Sequence, residues 1–305
     1  GRFGLRNGAG RLLLDLADAY YSVLELGDTL KTDQDSRDLT QKILDVQKHW
    51  VAIGRAQKSD MLSTSAQLAQ LDATLQSDRT QLTQEREELA FLAGVPPDVA
   101  LEVPDTGASL PAYGLEQALA KVDARPDVAQ AKAQWDVAEA QVLAAHGQHL
   151  PTLVASGNYA LAADGANSPR EWTVGLQASI PVFEGGQLVA QERQADSKRN
   201  QAKLAWSQAR RQALEDIRKA YQGLQDSLQQ TQAFQASQQA SQEAYEAVLH
   251  DYNLNLQTPL ALLQALNTLE AAKADYAKTR YQTLYDQVWL GVALGDLPQV
   301  TGERP

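Results

Sequence analysis

Residues 150–186 read LPTLVASGNYALAADGANSPREWTVGLQASIPVFEGG and form the only segment of the chain with a strand pattern. Odd positions are apolar or small from 153 to 161, and even positions are apolar or small from 172 to 182. Alternation with period 2 gives each strand one apolar face and one wettable face. The polar residues 164–171 between the two runs include Gly, Asn, Ser and Pro, as is typical of a turn. The sequence therefore predicts a strand hairpin.

The environment of this hairpin stays open on these residues alone. Each run has roughly ten residues, the length that a tilted strand needs to cross a bilayer. A hairpin of a soluble sheet shows the same alternation. Tyr159 and Trp172 are candidates for aromatic anchors at a membrane interface, and ordinary hairpin packing is the alternative.

The composition narrows the class of protein. Aromatic residues make up only 6% of the 305 residues and Ala and Gln are abundant, which suits long helices packed closely through small side chains. A formal net charge of -11 disfavours nucleic acid or an anionic lipid surface as the main partner. The absence of cysteine excludes disulfides and cysteine-ligated metals and fits a periplasmic or secreted location. No run of about 18 apolar residues occurs, so a membrane span would have to use strands.

Most of the remaining chain predicts long helices. Apolar residues recur at alternating steps of three and four in residues 11–53, 60–94 and 187–294, as in a coiled-coil seam. Gly27 and Asp28 are expected to interrupt the first helix mildly. Around residue 55 we expect a break, with Ser59 or Asp60 capping the helix that follows.

Prolines and glycines mark the other boundaries. Residues 95–112 contain four prolines and predict a non-helical linker. Pro126 suits the first turn of a helix that should run to about His146. Pro259 interrupts the second helical half, and the last helix is expected to end near Leu294, before Gly295.

The helical segments before and after the hairpin are copies of each other. A shift of 201 positions, without a gap, places Leu13 on Leu214, Asp15 on Asp216, Ala19 on Ala220, Tyr20 on Tyr221, His49 on His250, Leu62 on Leu263, Leu68 on Leu269, Leu89 on Leu290 and Gly94 on Gly295. Both copies break at the same point, where Gly54 aligns with Asn255. Chance alignment of Ala-, Leu- and Gln-rich heptads is the alternative, but one uninterrupted offset with a shared break favours an internal repeat.

The repeat and the hairpin together predict an assembly. Heptad helix pairs must bury their seam, and a chain without a compact core finds that surface in neighbouring copies. A two-stranded hairpin is marginal alone in water, and in lipid every edge N–H and C=O must be paired. A barrel shared between chains meets both requirements, with polar strand faces lining a lumen and apolar faces meeting lipid. The predicted fold class is mainly α with a transmembrane β-hairpin.

Four segments resemble the TolC-like outer-membrane efflux protein family. They are Arg125-Pro126-Asp127-Val128, the helix-to-strand entry at 150–153, the strand-to-helix exit IPVFEGG at 180–186, and the paired breaks at 50–62 and 252–263. The exit motif is the most specific, and the resemblance covers about residues 12–298. It implies a homotrimer with a shared outer-membrane β-barrel and long antiparallel helices in a periplasmic α-helical barrel, in the outer membrane of a Gram-negative bacterium.

The resemblance also implies a division of the chain and a docking surface. The implied parts are first-repeat periplasmic helices in 1–94, an equatorial region in 95–125, a helix into the barrel in 126–149, the membrane hairpin in 150–186, second-repeat periplasmic helices in 187–295 and a C-terminal tail in 296–305. Each helix-to-helix break corresponds to a periplasmic tip, where a periplasmic adaptor (membrane fusion) protein docks and the duct is gated. The residues expected to form this docking surface are Gly54, Gln57, Ser59, Asp60, Asn255, Thr258 and Pro259.

The chain departs from the family pattern in two ways. Each family repeat has its own strand hairpin, yet here the sequence begins within the first repeat, so the first-repeat hairpin is expected to be missing from this chain. Family members can also carry aspartates at the second tip that close the pore and bind cations. The matching positions are Ala261 and Gln264, and only the first-repeat counterpart Asp60 is acidic, so an acidic gate is not expected.

Motifs for catalysis or cofactors are not found. The sequence has no nucleophile motif, Gly-rich phosphate loop or HExxH zinc motif, so we predict neither an enzyme nor a bound cofactor. His146 and His149 are spaced to share a helix face, but a metal site is less favoured than two solvated junction residues. His49 and His250, near the two tips, either form a pH-sensitive ring in a trimer or are plain exposed residues.

The sequence therefore predicts a passive exit duct of a tripartite efflux pump or type I secretion system. Its expected partners are two further copies of the chain, a periplasmic adaptor, an inner-membrane transporter and the lipid bilayer, without nucleic acid. The transporter supplies the energy, and small molecules are favoured over polypeptides as cargo. The alternative is a soluble coiled-coil structural or adaptor protein whose hairpin caps a helical bundle.

Overall fold

The computed structural model describes residues 2–55, 57–103, 107–159, 172–254 and 256–296. Its elements are α1 (Arg2–Ala52), α2 (Lys58–Ala93), α3 (Leu115–Ala120), α4 (Pro126–Gly147), β1 (Thr152–Tyr159), β2 (Trp172–Ser179), α5 (Gln187–Asn253) and α6 (Pro259–Leu294), with a short 3₁₀ turn at Val122–Ala124. The chain divides into two compact units, residues 1–122 with 213–305, and residues 123–212. The prediction of a mainly helical fold is confirmed.

The helix boundaries follow the proline and glycine signals. Pro126 and Pro259 lie in the first turns of α4 and α6, where the missing N–H costs no hydrogen bond. Gly94 and Gly295 end α2 and α6 with φ of 69° and 78°, the left-handed conformation that glycine adopts without a steric penalty. The expected interruption at Gly27 is wrong, because α1 runs through it without a break. One glycine costs a helix only about 1 kcal/mol, which packing against the neighbouring helices offsets.

The two helical copies match in their boundaries. Helices α2 and α6 both have 36 residues, and their first residues (58 and 259) and last residues (93 and 294) both differ by 201. Their last turns also end alike, at Gly94 and Gly295. The offset read from the sequence is thus the offset of the helices themselves.

In the first unit, α6 lies between α5 and α1. It packs along α1, and its Tyr281 hydroxyl donates to Asp28 Oδ2 of α1 at 2.7 Å. A core cluster joins α1, α5 and α6 through Ile43, Tyr245 and four leucines of α6. Helix α2 packs along the other side of α1, and its Gln67 Nε2 donates to Asn267 Oδ1 of α6 at 2.6 Å.

The segment that follows α2, residues 95–103, packs against helices α1 and α2. Arg86 Nη1 donates to the Pro97 carbonyl at 3.2 Å, and the Tyr20 hydroxyl donates to the Glu102 carbonyl. Leu101 packs against the small core of Val23 and its neighbours. Backbone carbonyls of this proline-rich segment thus accept the bonds that fix its position.

In the second unit, α4 packs on the first part of α5, and both lead into the hairpin. The rings of Trp135 and Trp206 stack at 5.2 Å between centroids and 13° between planes. Arg210 Nε forms an ion pair with Asp123 Oδ1 at 2.8 Å. The tryptophan pair holds α4 beside α5, and the ion pair holds the turn before α4 against α5.

Strands β1 and β2 form an antiparallel two-stranded sheet, as predicted. Residues directly opposite each other share a face, and the register places Leu153 opposite Ala178, Ala155 opposite Leu176, Gly157 opposite Val174 and Tyr159 opposite Trp172. The odd positions of β1 and the even positions of β2 therefore form one continuous apolar face. The opposite face is polar or small except for Val154, and all sixteen strand residues are exposed in this chain. The predicted turn at 164–171 lies outside the described residues.

No helix within the described ranges is both long and apolar enough to cross a membrane.

Candidate functional sites at two helix turns and a strand hairpin

The first helix turn connects α1 to α2 through a glycine bend. The N–H of Gly54 donates to the Val51 carbonyl at 3.1 Å, and the N–H of Arg55 donates to the Trp50 carbonyl at 2.8 Å. Gly54 has φ of 72°, and a Cβ at this position would meet nothing within 4 Å. Its backbone conformation, and not a lack of space, is what favours glycine here.

The start of α2 differs from the prediction. The helix begins at Lys58 with Gln57 as its N-cap residue, and no side chain accepts a capping bond. Ser59 and Asp60 lie inside the first turn, so the prediction that one of them caps α2 is wrong. The Ser59 hydroxyl lies 3.3 Å from both Gln57 Oε1 and Asp60 Oδ1. The carboxylate of Asp60 is favourably placed near the positive end of the helix dipole.

The second helix turn connects α5 to α6, and a threonine organises it. Thr258 is the N-cap of α6: its hydroxyl accepts from the Ala261 N–H at 3.2 Å, and its carbonyl accepts from the Leu262 N–H. Pro259 follows in the first turn. Asn255, the predicted counterpart of Gly54, lies outside the described residues.

One pocket brings predicted residues of both turns together. It has a volume of about 340 Å³ and is lined by Gln47, Trp50, Gly54, Arg55, Gln57, Asp60 and Pro259. We call it the tip pocket. Ser59 and Thr258 do not line it. The sequence did not predict three of the lining residues, which are Gln47, Trp50 and Arg55. Their place in the pocket depends on how α1 packs against the start of α6, which no local pattern contains.

Gln47 is the unusual residue of the tip pocket. Its side chain is 1% exposed, and neither its Nε2 nor its Oε1 has a hydrogen-bond partner. A buried amide normally uses both its donors and its acceptor. The Gln47 amide thus lies buried beneath the pocket, and neither its donor nor its acceptor is paired within the described residues.

Apolar side chains surround the two turns and are uncovered in this chain. Ile53, Leu254, Leu256 and Leu260 are each more than half exposed, with Leu256 at 71%. A cluster of exposed large apolar residues at one place on a surface is typical of a contact with another protein. The turns thus combine a polar pocket with an apolar rim.

The positions that correspond to gate aspartates carry no charge. The N–H of Ala261 is bonded to Thr258, and Gln264 is exposed on the next turn of α6. Asp60 is exposed on the first turn of α2.

The two histidines His49 and His250 are exposed near the ends of α1 and α5, and the pH-sensitive ring remains a hypothesis.

The two aromatic residues of the hairpin are direct cross-strand partners. Tyr159 lies opposite Trp172, and they are 52% and 73% exposed. Both belong to the apolar face. Paired aromatic rings at one level of a hairpin match the aromatic girdle of membrane strands, so Tyr159 and Trp172 remain the predicted interface residues.

The two histidines at the base of β1 share a carboxylate that sequence reasoning did not find. His146 Nδ1 lies 3.4 Å from Glu192 Oε1 and His149 Nε2 lies 3.5 Å from Glu192 Oε2. Glu192 belongs to α5, so its proximity depends on the packing of α5 on α4. Within the described part of the chain, no group of three or more His, Cys, Asp or Glu side chains is arranged to hold a metal ion.

Together these features define a class: a helical protein built from a repeated helix pair, with exposed apolar residues at the paired turns and an uncovered strand hairpin. The chain belongs to the outer membrane efflux protein family, whose model matches residues 115–296. The resemblance predicted from the sequence is confirmed.

Relatives agree with this assignment. The chain is 26% identical to the outer membrane protein TolC of Escherichia coli (strain K12), over 94% of this chain and 62% of TolC. It is 27% identical to the pyoverdine export outer membrane protein OpmQ of Pseudomonas aeruginosa, over 93% of this chain and 61% of OpmQ. The fold matches that of the outer membrane protein VceC of Vibrio cholerae, with a TM-score of 0.80 at 21% identity, covering 96% of this chain and 72% of VceC. The chain thus spans about three fifths of the length of TolC and OpmQ.

Proposed function

We propose that this chain is the wall of a homotrimeric outer-membrane exit channel of a tripartite efflux pump or type I secretion system. The channel is a passive conduit, and the periplasmic helices of residues 1–94 and 187–295 meet a periplasmic adaptor and an inner-membrane transporter. Family membership supports this proposal, as do the names of TolC and OpmQ, which describe an outer-membrane protein and an export outer-membrane protein.

The observation that carries the proposal is an open edge in a repeated helical layer. Helices α2 and α6 are repeat-related and equally long, yet α6 buries thirteen residues and α2 buries three. Leu263 is 4% exposed, whereas its repeat partner Leu62 is 54% exposed. The apolar residues of α6 are covered from two sides, whereas those of α2 are covered on one side, by α1.

The repeat itself identifies the missing neighbour. Helix α6 lies between α5 and α1, and α1 and α2 repeat α5 and α6. The helix that covers the open side of α2 should therefore be the equivalent of α1, which is α5 of another copy. A layer that continues in this way from copy to copy closes into a ring when the rotation permits.

The hairpin supports the same arrangement. A two-stranded sheet leaves the outer N–H and C=O groups of both strands unpaired, and lipid tolerates this only in a closed barrel. The exposed apolar face of residues 153–159 and 172–178 suits the lipid side. We therefore place residues 150–186 in a β-barrel shared between three copies, with residues 95–125 as the equatorial region and 126–149 as the helix leading to the barrel.

Cysteine cross-linking tests the assembly, and the chain is suited to it because it contains no cysteine. The contact of Tyr281 with Asp28 maps through the repeat onto Thr80 of α2 and Gln229 of α5. In the membrane-embedded protein, the double variant Thr80→Cys and Gln229→Cys should form disulfides between copies on oxidation. The product should run as a covalent trimer in non-reducing gels.

Two results distinguish this assembly from other states. Each single-cysteine variant serves as the control and should give no covalent trimer in non-reducing gels. Covalent dimers without trimers, or no cross-link in a membrane fraction that contains the protein, would overturn the proposed ring.

The two turns are the proposed docking surface for the adaptor, with the predicted residues Gly54, Gln57, Ser59, Asp60, Asn255, Thr258 and Pro259. The tip pocket and the exposed leucines support this role. Gly54 and Thr258 are poor positions for a test, because substitution strains the backbone at one and removes a helix cap at the other. Gln57 and Leu256 are exposed, and the Gln57 side chain accepts no capping bond although Gln57 is the N-cap residue of α2.

Docking is tested by Gln57→Trp and Leu256→Glu in a strain that depends on the channel for drug resistance. Both variants should lose adaptor cross-linking and resistance while their trimers stay intact. Lys42→Trp, on an exposed part of α1, is the matched bulky control and should keep resistance. Full resistance in both docking variants would contradict docking at the turns.

A further inference from the structure

Three carboxyl groups meet where α1 packs between α2 and α6. Asp33 of α1 lies beside Asp78 of α2, and its charge also acts on Glu270 of α6. All three side chains are half-buried. Three negative charges at one helix contact repel one another strongly where water is partly excluded.

The nearby cations offset the charge of this cluster only in part. Arg37, one turn along α1, directs its Nε to Asp72 Oδ1 at 3.0 Å. Arg79, next to Asp78 in α2, directs its Nη2 to Gln34 Oε1 at 3.2 Å. Lys273 of α6 is the cation that acts on Glu270. Both guanidinium groups at this level are thus bonded to other acceptors.

The cluster also contains buried oxygens without partners. Asp78 Oδ2 is inaccessible to solvent and has no hydrogen-bond partner, and the same holds for the hydroxyl of Ser36, which is 1% exposed and lies beside Glu270. A buried ionised carboxylate oxygen without a donor is costly. A proton resolves this, because a neutral carboxyl donates an O–H bond to its neighbour.

The acidities follow from this environment. Burial, with the hydrogen bond and charge of Asp78, raises the pKa of Asp33 to about 6. Burial raises the pKa of Glu270 to about 7; the charge of Asp33 adds to this effect, whereas Ser36 and Lys273 oppose it.

We propose that Asp33 and Glu270, with Asp78 packed against Asp33, bind protons that hold α1 against α2 and α6, and that this contact loosens when the protons leave. This role goes beyond the conduit function, since it concerns three helices of one copy and holds whether or not a partner docks. Mechanically, the proton supplies a donor between the oxygens of Asp33 and Asp78, which face each other across the contact of α1 with α2. Loss of the proton leaves like charges in their place.

The direction of the pH dependence follows from the sign of the shifts. Groups whose folded-state pKa is raised contribute stability that is complete below the ordinary carboxyl pKa near 4 and is lost as pH rises through the folded value. The stabilisation should therefore be full near pH 4 and largely gone above about pH 7.

The test is thermal unfolding of the intact protein in detergent between pH 4.5 and pH 8. The wild-type protein should lose stability steadily as pH rises. The double variant Asp33→Asn and Glu270→Gln replaces two of the acids with neutral groups of the same shape, so at least half of the pH-dependent loss should disappear. Asp35→Asn, on the exposed side of α1, is the control and should keep the full wild-type dependence.

A second measurement uses the wild-type protein alone, so it does not depend on whether the variants fold. Amide hydrogen exchange of the wild-type protein, corrected for the intrinsic pH dependence, should show faster opening of α1 around residue 33 at pH 8 than at pH 5. Equal protection at both pH values, or a double variant with the wild-type pH dependence, would overturn the proposal.

Discussion

Gln47 shows how a single residue can be unfavourable for folding and favourable for binding. Its buried amide has no partner in this chain, and an unsatisfied buried polar group costs about 1–3 kcal/mol. If the proposed docking occurs here, a segment that displaces the pocket wall and bonds the amide through a backbone C=O and N–H would recover this free energy. On this hypothesis the cost at the turn is offset in the complex with the adaptor.

Gln47→Met tests this account because methionine keeps the length and removes the polar atoms. Trimer unfolding temperature should stay constant or rise, since no hydrogen bond is lost, while the affinity for the adaptor should fall. Calorimetry and adaptor binding measure the two effects. A clear loss of stability with unchanged adaptor binding would show that the amide is already satisfied within the protein.

Thr258 is expected to act on stability rather than on docking. Thr258→Ala removes the acceptor for the Ala261 N–H, and loss of an N-cap costs about 1 kcal/mol. Thr258→Ser keeps the hydroxyl and should restore most of the unfolding temperature. If the serine variant is as unstable as the alanine variant, the methyl group and not the cap is responsible.

At the scale of elements, the two faces of the strand hairpin differ in polarity, and single substitutions can test each face separately. Leu176 lies on the apolar face and its neighbour Gln177 lies on the polar face. A lysine on the lipid side of a membrane strand costs about 2–4 kcal/mol near the bilayer midplane. Leu176→Lys should therefore reduce the heat-resistant trimer in outer-membrane fractions, whereas Gln177→Lys should not. Equal effects of the two substitutions would exclude a lipid-facing apolar surface.

The elements also show what local sequence determines and what it leaves open. Proline and glycine fix helix ends through their own backbone geometry, so the boundaries at Gly94, Pro126, Pro259 and Gly295 were predictable from the local sequence. The capping of α2 was not, because a helix can begin at Lys58 without a side-chain cap. Contacts between helices, such as Glu192 with the two histidines and Gln47 with the tip pocket, depend on packing angles that no local pattern encodes.

At the scale of the whole molecule, the repeat creates an imbalance that assembly should remove. Helices α2 and α6 share their length and seam, but in one copy only α6 is covered on two sides. If α5 of a neighbouring copy covers α2, repeat-related positions should become energetically similar in the trimer. A chain that functions alone would keep them different.

Leu62 and Leu263 measure this imbalance directly, since they are repeat partners with exposures of 54% and 4%. Leu263→Ala removes a core side chain and should destabilise the protein by about 2–5 kcal/mol. In the closed ring Leu62 is buried by the neighbouring copy, so Leu62→Ala should lower the dissociation temperature of the trimer by a comparable amount. Heating in sodium dodecyl sulfate followed by electrophoresis measures both, with Lys42→Ala as the control for an exposed helix position. If only Leu263→Ala has an effect, the open side of α2 faces solvent in the functional protein, because a covered leucine would have lost the same apolar contact.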